Sequence, residues 1–375
     1  LRFSADTVLF DTVFTELKTT TQRLKVYNDL DKQIIFSGIG LTQPESPFNL
    51  TVNGLAGKSF QDVSLLGGDS LLILIDATID SKNQDNPFIV QDDLEFKVNG
   101  RSGIIPVIAW GQDANYLKDS ILVCNTTWTK GKPYVVLGDI LVDSLCNLTI
   151  EAGTRVFAHF GSNIFVKGKM LASGTSQDRV VFTNDRSDEP FASAPGQWEG
   201  ITYLEGSEGN VLSYVDIRNA TNGLWVGTPD DNDAADVVIE NTIIENMSEY
   251  GVLAFTADLS LTNTLINNCG QVTFAGFAGG NYDFRHVTLA NYGFGMFKQQ
   301  PVLAFTDQLE LSDGSLIGDT VNVAITNSII WGPDNEEIAL IDSEGYPFSV
   351  VIGSTLLKTE RENLDINNNI LNQDP

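Results

Sequence analysis

The sequence predicts an all-β protein of two parts: a sandwich of short strands, then a parallel β-helix. Three observations carry this. Alternating apolar runs broken by turn residues fill residues 1–112. Five later segments can be written over one another. Within those segments the apolar residues recur in twos, the periodicity of a strand, and Asn stands at fixed places between them.

In the first part, strands are expected at Asp6–Phe14, Gln22–Tyr27, Ser70–Thr78, Leu94–Val98 and Gly103–Ala109. Turn signals at Asn28–Asp31, Leu66–Asp69 and Asn99-Gly100 separate them. Asn99-Gly100 between two alternating runs predicts a two-residue hairpin, because both residues tolerate the positive φ such a turn needs. Residues 113–133 are expected as a connector, with Thr126–Thr129 a candidate start of the first coil, and 134–375 as the helical part.

The repeated segments are Asn210–Asn219, Val237–Asn246, Leu259–Asn268, Tyr282–Asn291 and Val323–Gly332, with a looser sixth at Ser349–Thr359. From Asn219 their closing residues step by 27, 22, 23 and 41 positions. The last step leaves room for an insertion, expected at Lys298–Thr320. A period of this size suits one coil of a parallel β-helix. Third, sixth and eighth positions are apolar or small: Leu212, Val215 and Ile217; Ile239, Thr242 and Ile244; Leu261, Thr264 and Ile266. The phase breaks between the third and sixth, which marks a bend. Asn241, Asn263 and Asn327 stand at that bend, with His286 in the equivalent place, and Asn tolerates left-handed backbone. Asn219, Asn246, Asn268 and Asn291 close their segments. Stacked coils would bring like residues to about 4.8 Å, so these eight residues are expected to form structural ladders.

Gly168–Thr175 matches a Gly-x-Leu-x-Ala-x-Gly-Thr step, and Pro195–Ile201 a second one, so residues 148–183 resemble the first coils of bacterial right-handed parallel β-helix repeat proteins. The order of segments before residue 112 resembles the Ig-like domains beside bacterial surface modules. The whole layout resembles surface lipoproteins of the Bacteroidota. That resemblance implies an Ig-like β-sandwich at 1–112 and a right-handed parallel β-helix after it. It also implies a cell-surface location, membrane contact only through an N-terminal lipid outside this chain, and partners among outer-membrane protein complexes or glycans. The lipid-bearing Cys of that family does not stand near Leu1. The family pattern would continue past Asn372–Pro375 with another coil and a cap.

Lys and Arg total 22 against 49 Asp and Glu, a net charge of −27. Phosphate backbones would be repelled, so nucleic acid is excluded as a partner. Three cysteines, Cys124, Cys146 and Cys269, are too few and too odd in number for a disulfide framework. Cys124 and Cys146 lie about one coil apart and could stack; the favoured reading is two small buried hydrophobes.

No complete catalytic constellation is present, and no residue is assigned as catalytic. His159 and His286 are the only imidazoles. Polygalacturonase-type β-helix glycosidases need several acidic residues around the scissile bond. Here Asp230-Asp231 is the only Asp-Asp doublet of the helical part, and the accompanying Gly-His-Gly and Arg-Ile-Lys motifs are missing. Asp230, Asp231, Asp233 and Asp236 are candidate calcium ligands, because clustered oxygens suit that cation, or simply a solvated loop. No other cofactor is expected. Trp225, Arg218, Lys167 and Lys169 are candidate ligand-binding residues: Trp225 could stack on a sugar, and Lys167 and Lys169, with Arg179 and Arg186, could form a basic strip for a β-helix lyase. Arg218 aligns with Glu245 one coil on, which predicts a surface ion pair. Asp-[Ser/Thr]-apolar triplets at 6, 11, 69, 119, 143 and 319 resemble the O-glycosylation signal of the Bacteroidota.

The leading expectation is a non-catalytic cell-surface module, a rigid β-helix scaffold that binds glycan or partner proteins of an outer-membrane complex. The alternative is a β-helix polysaccharide lyase or glycoside hydrolase acting on uronic-acid polymers.

Overall fold

A computed structural model describes residues 1–227, 234–292, 300–364 and 367–375. They form two compact units, Leu1–Ala114 and Asn115–Pro375. Among the described residues no helix is long and apolar enough to cross a membrane.

The first unit has two sheets. One is ordered Arg2–Phe3, Gln22–Tyr27, Ser70–Ala77, Phe48–Val52, Leu55–Gly57, all antiparallel. The other is built on Val8–Phe14, Arg101–Gln112, Phe88–Val98 and Ile34–Leu41, with Val8–Phe14 parallel to its neighbour. Leu24, Val26, Ile73 and Ile75 of one sheet and Phe36, Leu94, Phe96 and Val107 of the other share one buried cluster, which makes the unit a sandwich. Asn99 and Gly100 take φ of 50° and 74° and join paired Val98 and Arg101, as the hairpin signal required.

The second unit is a parallel β-helix. Among the described residues its main sheet has 25 strands, and strand after strand pairs in parallel with one a full coil further on. Val180–Asn184 lies on Val215–Arg218, Gly200–Tyr203 on Leu224–Gly227, and Asn210–Ser213 on Val237–Glu240. Aliphatic and aromatic residues fill the tube from Leu122 to Leu364.

Residues 113–133 are more than a connector. Asn115–Ile121 pairs with Tyr134–Val142, and Thr126–Trp128 with Asn147–Glu151, so the first coil starts here. Trp128 is buried and stacks on Tyr134 at 4.7 Å. These strands are short and half-exposed, so their alternation is faint in the sequence. The insertion expected at Lys298–Thr320 is narrower where it is described. Leu303–Thr306 is an ordinary coil strand, and the added material is the hairpin of Gln308–Glu310 with Leu316–Gly318. Buried Asp307 anchors its base. Burial pushes that carboxyl up, but the Ser343 hydroxyl and the N–H groups of Ser343 and Tyr346 hold it below the usual carboxylate range.

The cysteines correct the sequence reading: Cys124 and Cys146 are joined by a disulfide between neighbouring coils, with Cα atoms 4.6 Å apart. Parallel register stacks the two thiols, and that outweighs the argument from a sparse count. Cys269 is free and buried, its thiol pushed up to about 12 by burial.

The corners fall in columns. Tyr214, Asn241, Asn263, His286, Asn327 and Ser354 have φ between 49° and 55°. The N–H of Asn241 donates to the Thr262 carbonyl, that of Asn263 to Arg285, that of His286 to Thr326 and that of Asn327 to Gly353, each one coil on. Asn263 Nδ2 also donates to Asn241 Oδ1 at 2.7 Å. Replacing Asn263 by Ala removes that bond and leaves a Cβ residue in left-handed backbone, an expected loss of about 1–2 kcal/mol in urea unfolding. Gly at the same place should cost less, because it adopts positive φ freely. Equal losses would mean that the amide bond alone matters.

Candidate functional site

On the second unit, register aligns a set of outward side chains that are distant in sequence. Val238, Ser260, Asp283, Ala324 and Val351 stand over one another on five successive coils. Beside them Asp258, Asn281, Asn322 and Ser349 form a second column. Ala235, Ser260, Asp283, Ala324 and Val351 on one side and Asp258, Asn281, Asn322 and Ser349 on the other line a groove of about 490 Å³. At ~4.8 Å per coil, four steps make it ~19 Å long.

The polar column is tied coil to coil. Asp236 Oδ2 accepts the Asp258 N–H at 2.8 Å. Asp258 Oδ1 accepts both the N–H and the Nδ2 of Asn281, at 2.9 and 2.7 Å. Asn281 Oδ1 accepts from Asn322 Nδ2 at 2.9 Å. Each bond satisfies a group that strand formation would otherwise leave facing a half-buried edge. Asp283 is held by Arg285 at 2.5 Å. Behind the groove, burial raises the Tyr282 phenol, and the charges of Asp258 and Asp236 add to it. Tyr282 therefore stays protonated and donates to the Gly279 carbonyl at 2.9 Å. A general acid–base pair needs two carboxyls free to exchange protons with a substrate. Here Asp258 accepts from Asn281 within the ladder, and Asp283 is paired with Arg285.

The residues singled out from sequence are dispersed. Asp230, Asp231 and Asp233 lie outside the described residues. Asp236 is buried and serves as the staple to Asp258. Among the described residues no group of three His, Cys, Asp or Glu is placed to hold a metal. Trp225 is 42% exposed and begins an outer aromatic file: its ring lies 5.8 Å from Phe255, which lies 6.0 Å from Phe277. Those rings are inclined by 39° and 58°, so they pack on each other rather than present one flat platform. Arg218 approaches Glu245 to 3.1 Å and Asp216 to 3.3 Å. Arg179 binds Asp216 at 2.6 Å and the carbonyls of Val215 and Asn241. Arg186 binds Asp188 at 2.6 Å and holds that carboxyl below its usual range. Of the imagined basic strip, Lys167 is exposed and Lys169 half-buried, while both arginines are neutralised. His159 Nδ1 meets Asp185 at 2.6 Å on an exposed corner.

The closing column is a ladder with one exception. Asn246 Nδ2 donates to Asn219 Oδ1 at 3.3 Å, Asn268 to Asn246 at 3.4 Å, and Asn219 to Asn184 at 2.7 Å. Asn291 is instead wholly buried and grips the Cys269 backbone from both ends of its amide, at 2.7 and 3.2 Å. A further ladder escaped the sequence reading. Thr242 and Thr264, taken as small core positions, and likewise Ser328 and Thr355, bond backbone carbonyls of the bend, and the Val215 and Val287 N–H groups donate to Thr242 and Ser328. Their shared hydroxyls were the available signal.

No protein-family model matches the sequence, and neither does any curated protein. Among solved structures the chain is similar to the Agl-KA catalytic domain, at 13% identity and TM-score 0.40 over 93% of this chain and 72% of that one. It is similar also to the catalytic unit of the GH87 alpha-1,3-glucanase of Streptomyces thermodiastaticus strain HF3-3, at 11% and 0.31 over 89% and 73%. The E. coli chaperone DraB matches at 17% and 0.20 over 29% of this chain, which spans about half of DraB, 53%. Likenesses this distant say nothing about activity. The strand pairing alone defines the class, an all-β chain with an antiparallel unit followed by a parallel β-helix.

Proposed function

We propose that this chain is a non-catalytic module of the bacterial cell surface whose β-helix is a rigid scaffold for binding a glycan. The observation that carries this reading is the groove over Ser260, Asp283, Ala324 and Val351, polar along one wall, with its carboxylates already engaged. A cleft rich in amides, hydroxyls and carboxylates beside small apolar patches suits the mixed polar and C–H surface of a sugar. The disulfide supports a place outside the cytoplasm, since such bonds persist in oxidising compartments.

Ala324 is exposed on the groove floor, so Ala324→Trp would fill it without replacing a ladder residue. Binding to immobilised polysaccharide should weaken at least ~tenfold, a loss of ~1.4 kcal/mol. No reducing or unsaturated sugar should be released, with or without calcium. Turnover that Asp283→Asn abolishes would establish the enzyme instead. Capture of a membrane protein that Ala324→Trp leaves intact would place the binding face elsewhere.

A further inference from the structure

We infer that the ligand is an uncharged, extended polysaccharide that lies along the helix axis rather than across it; this rests on the glycan reading above. Two features of the same groove point there. The first is direction. Each column adds one side chain per coil, so the polar wall of Asp258, Asn281, Asn322 and Ser349 and the floor of Ser260, Asp283, Ala324 and Val351 both run parallel to the axis. A chain laid along them meets a hydrogen-bonding edge throughout. It also meets a floor that turns apolar at Ala324 and at Val351, which is 56% exposed. A chain crossing the axis would meet each column once.

The second is charge. Among the described residues the lining includes two carboxylates, Asp258 and Asp283, and no Lys or Arg. Arg285 offsets only Asp283, to which it is bound. A polyuronate would bring one negative charge per sugar to a negative cleft on a chain of net charge −27, so both local and long-range terms oppose it. A neutral sugar brings no charge, and its hydroxyls can donate to the exposed Asn322 amide and to the half-buried Asp283 carboxylate.

Calorimetry on the whole chain tests this with neutral gluco-, manno- and galacto-oligosaccharides, from disaccharide to hexasaccharide, beside polygalacturonate and alginate. A neutral series should bind, tightening about tenfold or more from disaccharide to tetrasaccharide, the step that ~1.4 kcal/mol of added contact produces. Ala324→Trp should abolish it, and the polyuronates should not bind. Polyuronate binding that Ala324→Trp removes would overturn the inference and leave the glycan reading standing. Affinity independent of length would overturn the axial placement. Failure of every glycan to bind would remove the glycan reading and this inference together.

Discussion

Phe274→Ala should destabilise the second unit by about 3–5 kcal/mol, the usual cost of emptying a buried aromatic site. Phe274 is fully buried, and its ring meets Phe284 at 4.7 Å, Tyr282 at 5.6 Å and Phe305 at 5.8 Å. Tyr282 and Phe284 belong to the same coil as Phe274 and meet it across the tube, while Phe305 comes from the next coil, where it pairs with Gly276. The loss therefore includes contacts between coils as well as the cavity. A solenoid is held together by such nearest-neighbour contacts, so the damage should spread along the axis. Exposed Ile341 gives the comparison, and Ile341→Ala should stay within ~0.5 kcal/mol of the parent. Urea unfolding reads both. A Phe274→Ala protein within 1 kcal/mol of the parent, an order-of-magnitude threshold well under the usual range, would show that this cluster does not hold the coils.

Breaking the Cys124–Cys146 bridge should cost about 3 kcal/mol, the chain-entropy value for a loop of this size. The cost should be local. Cys124 follows the first strand of the first coil, and Cys146 precedes Asn147–Glu151 of the next. The bridge therefore clips the first coil to the second. In the Cys124→Ser/Cys146→Ser protein, hydrogen exchange should quicken in Asn115–Ile121, Thr126–Trp128 and Tyr134–Val142, and stay unchanged in Val237–Glu240 and Ile243–Met247. Uniform acceleration throughout the unit would show instead that the bridge acts globally.

Much of the fold was legible because stacking imposes a local rule on every coil. Aliphatics must face inward at period two, and a tight bend must accept positive φ; Leu261 and Asn263 declare both within three residues. What escaped depends on register, which no single segment displays. Ser260, Asp283, Ala324 and Val351 share no chemistry and become one surface only when the coils are stacked. Asp258, Asn281 and Asn322 each precede an apolar run, a signal visible in hindsight but silent about the groove. Asn291 matches Asn268 in sequence and differs in role, because its backbone leaves the left-handed region and its amide turns inward. The cysteines were misjudged by counting them instead of placing them on adjacent coils.

The central claim, that residues such as Glu240 and Thr262 lie side by side on successive coils, can be tested by cross-linking. Cys124 and Cys146 already show that stacked positions can be bridged. A Glu240→Cys/Thr262→Cys protein should form an intramolecular disulfide under mild oxidation, read by mass spectrometry. Glu240→Cys/Leu261→Cys should not, because Leu261 points into the tube. Equal bridging of the two pairs, or bridging only of the second, would contradict the register on which the groove and its proposed ligand depend.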